Sequence, residues 1–237
     1  MRPPHDRLAE AHVHVGGAGR IGTAVVLALH AAGVGRISCN DPQLFEEEQL
    51  HVQSFARRSD LGRPKVFVLE RFLDARPNLV FEPIHARNES PRVGPYLKNA
   101  QLIVSCANRI DARLHLERAA VRLNKPCIQA SAQDAREGLS GLISVWMPGI
   151  RCSCFGCLLP EPRPKFRRDE ILLPTVTSTI ANFTAHLAVR LLMAGPKPPS
   201  RPHNVFSFDL GAYALESISV APRRECSICG TTRLVGG

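Results

Sequence analysis

Four of the chain's eight cysteines form two C-x-x-C pairs, Cys154-Phe155-Gly156-Cys157 and Cys226-Ser227-Ile228-Cys229, with 68 residues between them. One such turn offers two thiolates to a cation. Two turns complete a tetrahedral four-sulfur shell, the closed site that zinc favours, with Zn–S near ~2.3 Å. A shell filled by four protein ligands leaves no position for water or substrate, so this zinc is expected to be structural. Gly156 and Gly230 suit the turns. Cys152 lies beside the first pair, but its C-x-C spacing to Cys154 suits a knuckle less well, and it is left out of the ligand set. The alternatives are unpaired thiols or a single redox C-x-x-C. Cys39, Cys106 and Cys127 sit singly in apolar surroundings and read as small buried hydrophobes rather than nucleophiles.

A second constellation lies near the start. Gly17-Ala18-Gly19-Arg20-Ile21-Gly22 fits G-x-G-x-x-G. Glycines at Gly17, Gly19 and Gly22 permit a tight turn and let backbone N–H groups approach phosphate oxygens at a helix N-terminus. Asp41 follows Gly22 by 19 residues, where a carboxylate grips a ribose hydroxyl. The pattern alone does not separate a nicotinamide dinucleotide from ATP, and a tight strand-to-helix turn without a ligand also fits it.

These residues need a frame. His12-Val13-His14-Val15 alternates as a strand and runs into the glycine loop; Thr23–Ala32 is a good helix former closed by Gly33; Arg36–Asn40 is the second strand. Lys65–Ala75 reads as a helix, Leu79–Ile84 as a strand, Leu102–Cys106 as a strand buried on both faces, and Ile110–Leu123 as an amphipathic helix. Pro126–Ala130 and Leu139–Met147 are further strands. Alternation of strand and helix predicts an α/β fold: a Rossmann-like, doubly wound, mostly parallel sheet with a C-terminal extension of strands and zinc knuckles. Beyond it come a proline-rich linker from Pro160 to Pro164, a long apolar helix over Leu173–Ala194, read as a core or dimer-interface helix, and strand-like runs at Val205–Ala214 and Glu216–Val220. The tetrad ties the end of the chain to its middle, so residues 1–237 read as one nucleotide-binding unit, with 10–150 the core and 151–237 the knuckles, helix and closing strands.

Length and composition agree. A chain of 237 residues that is 44% hydrophobic can bury one sizeable core. No apolar run reaches the ~20 residues of a membrane span, and the first residues lack a signal-peptide core, so a cytoplasmic protein is expected. The net charge is +9, yet aromatics are only 5%, which supplies few stacking platforms; nucleic acid is not the expected partner.

Loop, aspartate and late knuckles together resemble the ThiF/MoeB (ubiquitin-activating-enzyme-like) superfamily over roughly residues 10–232. Ala32-Gly33-Val34-Gly35-Arg36-Ile37 is similar to its A-G-V-G-x-[IL], and Asp60-Leu61-Gly62-Arg63-Pro64-Lys65 to its D-x-G-x-x-K. Lys125-Pro126, Gly138 to Gly141, Cys154-x-x-Cys157-Leu158-x-Pro160 and Cys226-x-x-Cys229-Gly230 match in order and spacing. The resemblance implies an ATP-dependent adenylyltransferase using Mg²⁺, with ATP or AMP over the glycines and Asp41 on the ribose. It implies Lys65 and Arg113 at the phosphates, Asn108 at the metal position, and a homo- or heterodimer. The acyl substrate it implies is a carboxylate, as at the C-terminus of a ubiquitin-like or sulfur-carrier protein or of a peptide.

The departures from that family fall where its chemistry happens. Its D-x-D-x-V-x-x-S-N-L-x-R-Q stands here as Asp41-Pro42-Gln43 through Gln49-Leu50-His51-Val52-Gln53, so Gln43, Gln49 and Val52 replace an aspartate, an asparagine and an arginine. Its strand-end D-x-x-D reads Ser105-Cys106-Ala107-Asn108, which leaves an amide where magnesium has a carboxylate. Only Arg2 and Arg7 precede the loop, and Glu161–Glu170 holds no cysteine for a covalent thioester. Losing a metal charge and a phosphate cation could each cost about 10²–10³ in rate. Three readings remain: an adenylyltransferase with altered metal handling, a catalytically impaired nucleotide- or carrier-binding partner subunit, and, third, an NAD-dependent oxidoreductase.

Overall fold

The computed structural model describes residues 4–50, 53, 55–73, 79–133, 139–159, 173–194 and 203–230. In chain order the elements are α1 (Pro4–Ala9), β1 (His12–Gly16), α2 (Arg20–Ala31), β2 (Arg36–Asn40), α3 (Lys65–Leu73), β3 (Val80–Ile84), α4 (Gly94–Asn99), β4 (Leu102–Ser105), α5 (Ile110–Arg122), β5 (Cys127–Gln133), β6 (Ser140–Trp146), α6 (Phe155–Leu158), α7 (Pro174–Ala194), β7 (Val205–Asp209) and β8 (Ala214–Ile218). Three short 3-10 turns, Glu47–Gln49, Arg58–Asp60 and Pro91–Val93, join some of them.

The strands form one sheet in the order β3-β2-β1-β4-β5-β6-β7-β8. The first five run parallel, and β6, β7 and β8 each pair antiparallel with the strand before. Strand order turns back between β1 and β4, which opens a crevice at their carboxyl ends, the place where such sheets hold ligands. This is the α/β architecture expected.

Alternation along β4 separates two cores. Leu102 and Val104 join the cluster under α2 and α7, with Val25, Val26, Leu29, Ile180 and Ala185. Ile103 faces the other way, with Leu97 of α4 and Leu116 and Ala120 of α5. α2 buries Gly22, Val25, Val26 and Leu29, the i, i+3, i+4, i+7 stripe of an amphipathic helix. It stops in a Schellman turn: Gly33 takes a φ of +90° and donates to His30 O, and Val34 N donates to Leu29 O. α7 buries Val176, Ile180, Ala181, Thr184 and Ala188 and packs on α2, β5 and β6, so it is a core helix.

Three expectations change. The run read as one strand over Val205–Ala214 is a hairpin: Asp209 Oδ1 accepts from Ala212 N, and Tyr213, at φ 55°, turns the chain into β8. β5 continues to Gln133 because β6 pairs along its whole length. β1 is buried on both faces, so its histidines are interior groups that need polar partners.

Candidate functional site

The glycine loop leaves β1 at the crevice. Gly17, at φ +107°, donates its N–H to Asn40 O at 2.7 Å, and a Cβ there would stand 3.1 Å from the Cys106–Ala107 backbone. A side chain on Gly22 would collide with Gly17 O, so Gly22 lets α2 close onto the loop. Gly19 has open space where a side chain would project, which leaves the backbone approachable.

Asp41 is buried beside this loop and holds it. Its Oδ2 accepts from Ala18 N and its Oδ1 from Gln43 N, each at 2.7 Å. Lys65, the first residue of α3, is also buried; its Nζ donates to Gln43 Oε1 at 2.7 Å. Burial lowers the Lys65 pKa, and the nearby Asp41 and Glu46 carboxylates oppose that shift. The structure thus gathers Gly17, Gly19, Gly22, Asp41 and Lys65 at one crevice. It also adds Gln43 and Glu46, which the spacing alone did not assign to Lys65. Asn108 is exposed on the turn that follows Cys106.

Arg113 is buried on α5. Its Nη2 donates to Ala130 O at 2.9 Å, its guanidinium lies 5.7 Å from the Phe155 ring centre, and it is 4% exposed. Burial lowers its pKa to about 10. The side chain therefore joins α5 to β5 and α6, with Cys106 near its charge. Val52, Gly138, Arg2 and residues 161–170 lie outside the described residues.

The four knuckle sulfurs meet. Cys154 and Cys157 Sγ are 3.8 Å apart, Cys154 and Cys226 3.6 Å, Cys157 and Cys229 3.4 Å, and all four lie within 4.8 Å of one another. A zinc tetrahedron with ~2.3 Å bonds has sulfur edges of ~3.8 Å, so these residues can hold a metal such as zinc. The hydrogen bond from Cys154 holds the Cys229 thiol down to about 5 and raises that of Cys154. Cys152 is buried but outside the group. Arg223 N donates to Cys157 Sγ, its Nη2 donates to Gly156 O, and Phe155 N donates to Glu117 Oε1 at 3.3 Å. Gly230 N closes the second turn on Cys226 O.

A polar chain under α4 and α5 went unread in the sequence. His14 Nε2 meets Asn40 Oδ1 at 3.0 Å, and its Nδ1 meets Ser38 Oγ at 2.9 Å. Since Asn40 Oδ1 can only accept, His14 Nε2 carries the proton, and Ser38 donates to Nδ1. Ser38 Oγ in turn lies 2.9 Å from His12 Nε2. Asn40 Nδ2 donates to Asn88 Oδ1 at 2.8 Å, and Asn88 Nδ2 donates to Ala112 O. The available signal was the pair of histidines in a strand flanked by buried strands.

The ThiF family profile matches residues 3–229. The chain belongs to the ThiF family. Among relatives of this ThiF protein, the protein HesA of Nostoc sp. is 28% identical over 94% of this chain and 86% of its own length. The sulfur carrier protein ThiS adenylyltransferase of Escherichia coli is 26% identical, over 94% of this chain and 88% of its own. The crystal structure of E. coli MccB with ATP superposes with a TM-score of 0.76 at 20% identity, covering 96% of this chain and 68% of that one. No helix among the described residues is long and apolar enough to cross a membrane.

Proposed function

We propose that this ThiF-family protein is a cytoplasmic ATP-dependent adenylyltransferase that activates a carboxylate. One observation carries the reading: the glycine loop, Asp41 and Lys65 converge at the β1/β4 crevice. The open backbone at Gly19 suits the phosphates, and Lys65 supplies a cation to them. A carboxylate oxygen attacks the α-phosphorus, the bond from that phosphorus to the bridging oxygen breaks, and pyrophosphate leaves. Relatives include sulfur-carrier adenylyltransferases, and the structural neighbour was solved with ATP and with N-formylated MccA, which supports an acyl group at a carrier or peptide C-terminus. Zinc is the metal we assign to Cys154, Cys157, Cys226 and Cys229, where it staples the segment between the knuckles to the sheet. We assign Arg113 a supporting part, orienting α5 against β5, and residues 1–237 a single nucleotide-binding unit in a homo- or heterodimer.

Two features favour slow turnover and keep a partner-subunit role as the second reading. Gln43 offers Lys65 a neutral amide, and Asn108 offers magnesium a carbonyl dipole without charge. Magnesium neutralises phosphate charge when bound, and a neutral amide holds it less well than a carboxylate. Pyrophosphate release with Mg-ATP and carrier or peptide carboxylates tests the first reading; calorimetry with ATP, AMP and NAD tests the ligand. Tighter binding of NAD than of ATP refutes the adenylation reading. Saturable ATP binding with no pyrophosphate release for any carboxylate leaves the partner role.

A further inference from the structure

The face opposite α2 and α7 carries a groove of about 410 Å³ between α4 and α5. Buried Leu97 and half-buried Leu123 line it together with Lys98, His115, Arg122 and Glu89. The stretch of chain that lines it is rich in exposed cations. Arg87, Arg92, Lys98, Arg109, Arg118 and Arg122 are all exposed between residues 85 and 125, against exposed Glu89 and Asp111, and Asp111 is already 3.9 Å from Arg109. No ion pair among the described residues engages Lys98, Arg118 or Arg122. A merely solvated charged face has no need of a concave aliphatic lining between its cations.

The geometry points to a docking site for an acidic polypeptide segment, one that places an aliphatic side chain on Leu97 and Leu123 and its carboxylates on Lys98 and Arg122. Charge complementarity selects the partner. The groove offers no Phe, Tyr or Trp for base stacking, and Glu89 opposes phosphates, which sets nucleic acid aside. The groove also adjoins the crevice. Buried Asn88 lines it and accepts from Asn40 Nδ2, while Asn40 O accepts the N–H of Gly17. A docked segment thus sits one residue's hydrogen bonds away from the glycine loop. The inference does not depend on the adenylation reading, because binding alone tests it.

The test uses the intact zinc-loaded chain and a fluorescein-labelled short peptide of leucines flanked by glutamates. Controls are the same peptide with serine for leucine and a single-stranded RNA of matching length, all followed by anisotropy at low salt. The leucine–glutamate peptide is expected to bind saturably, and the serine peptide to bind several-fold more weakly. Lys98→Glu with Arg122→Glu should weaken binding at least about tenfold, and Lys98→Arg with Arg122→Lys should retain it. Melting temperature and ATP affinity serve as controls for folding, and Lys98→Gln with Arg122→Gln repeats the test without charge reversal. Absence of saturable peptide binding, undiminished binding by both charge-removing variants, or tighter binding of RNA than of peptide each overturns the proposal.

Discussion

Replacing Asp41 with asparagine keeps the shape of the side chain and removes one acceptor. In the native protein each carboxylate oxygen takes a backbone N–H, from Ala18 and from Gln43, both at 2.7 Å, the first buried and the second part-buried. Asparagine must turn its NH₂ toward one of those donors. One charge-assisted bond is lost, the other becomes neutral, and an N–H at the loop loses its acceptor, at a cost of ~1–3 kcal/mol. For a chain of this size that lowers Tm by about 2–4 °C per kcal/mol, a fall of roughly 5 °C. The loop also loses its fixed geometry, so ATP affinity should drop at least about tenfold in Asp41→Asn and Asp41→Ala. Scanning calorimetry reads the first effect and titration calorimetry the second. An aspartate that served only a ribose would lower affinity and leave Tm unmoved. A native Tm in Asp41→Asn refutes the claim that Asp41 holds the loop, and unchanged ATP affinity in both variants refutes its role at the nucleotide.

The remaining expectations concern metal, pH and turnover. Cys226→Ser should lose the bound zinc equivalent by elemental analysis and melt earlier; a full equivalent retained would discard the four-sulfur assignment. Burial lowers the pKa of His14 to about 4, below the 6.5 of a free imidazole, despite the opposing hydrogen bond to Asn40. The unfolded chain therefore takes up this proton first. The His14 contribution is complete above pH 6.5 and is lost as pH falls toward 4, by about 3 kcal/mol. Urea unfolding of His14→Gln should lack that acid limb, and parallel curves for variant and native protein would count against it. Asn108→Asp should raise magnesium-dependent pyrophosphate release, or tighten Mg-ATP binding where release is absent; no change in either shows that Asn108 does not face the metal.

What could be read from the sequence was what depends on short segments. The two C-x-x-C turns each bring their own pair of sulfurs, and the chain needs only to juxtapose them. The glycine loop and Asp41 belong to a single β-α-β unit, so their meeting follows from local order. α4 escaped because Gly94-Pro95 opens it and its six residues are too few to show a period. The hairpin at Tyr213 escaped because a strand-like run does not reveal a residue with positive φ. Arg113 matched a family position, yet its environment is set by Ala130 and Phe155 from other elements, which spacing along α5 cannot disclose. The His14–Ser38–Asn40–Asn88 chain is hidden for the same reason, since its members come from β1, from β2 and from the loop after β3.

Strand order also has a temporal meaning. β1 is made first, β2 and β3 add outward on one side, and β4 returns to the other side of β1, where β5 to β8 follow in chain order. Each strand after the first meets an edge that already exists, with one reversal. Synthesis at ~5–20 residues per second can therefore lay the sheet down vectorially, without displacing any earlier pairing. The crevice between β1 and β4 is complete when β4 docks, while Cys226 and Cys229 are still unmade. A nascent chain acquires its glycine loop, held between both flanking strands, before it can bring together the four sulfurs that join its later half to the middle.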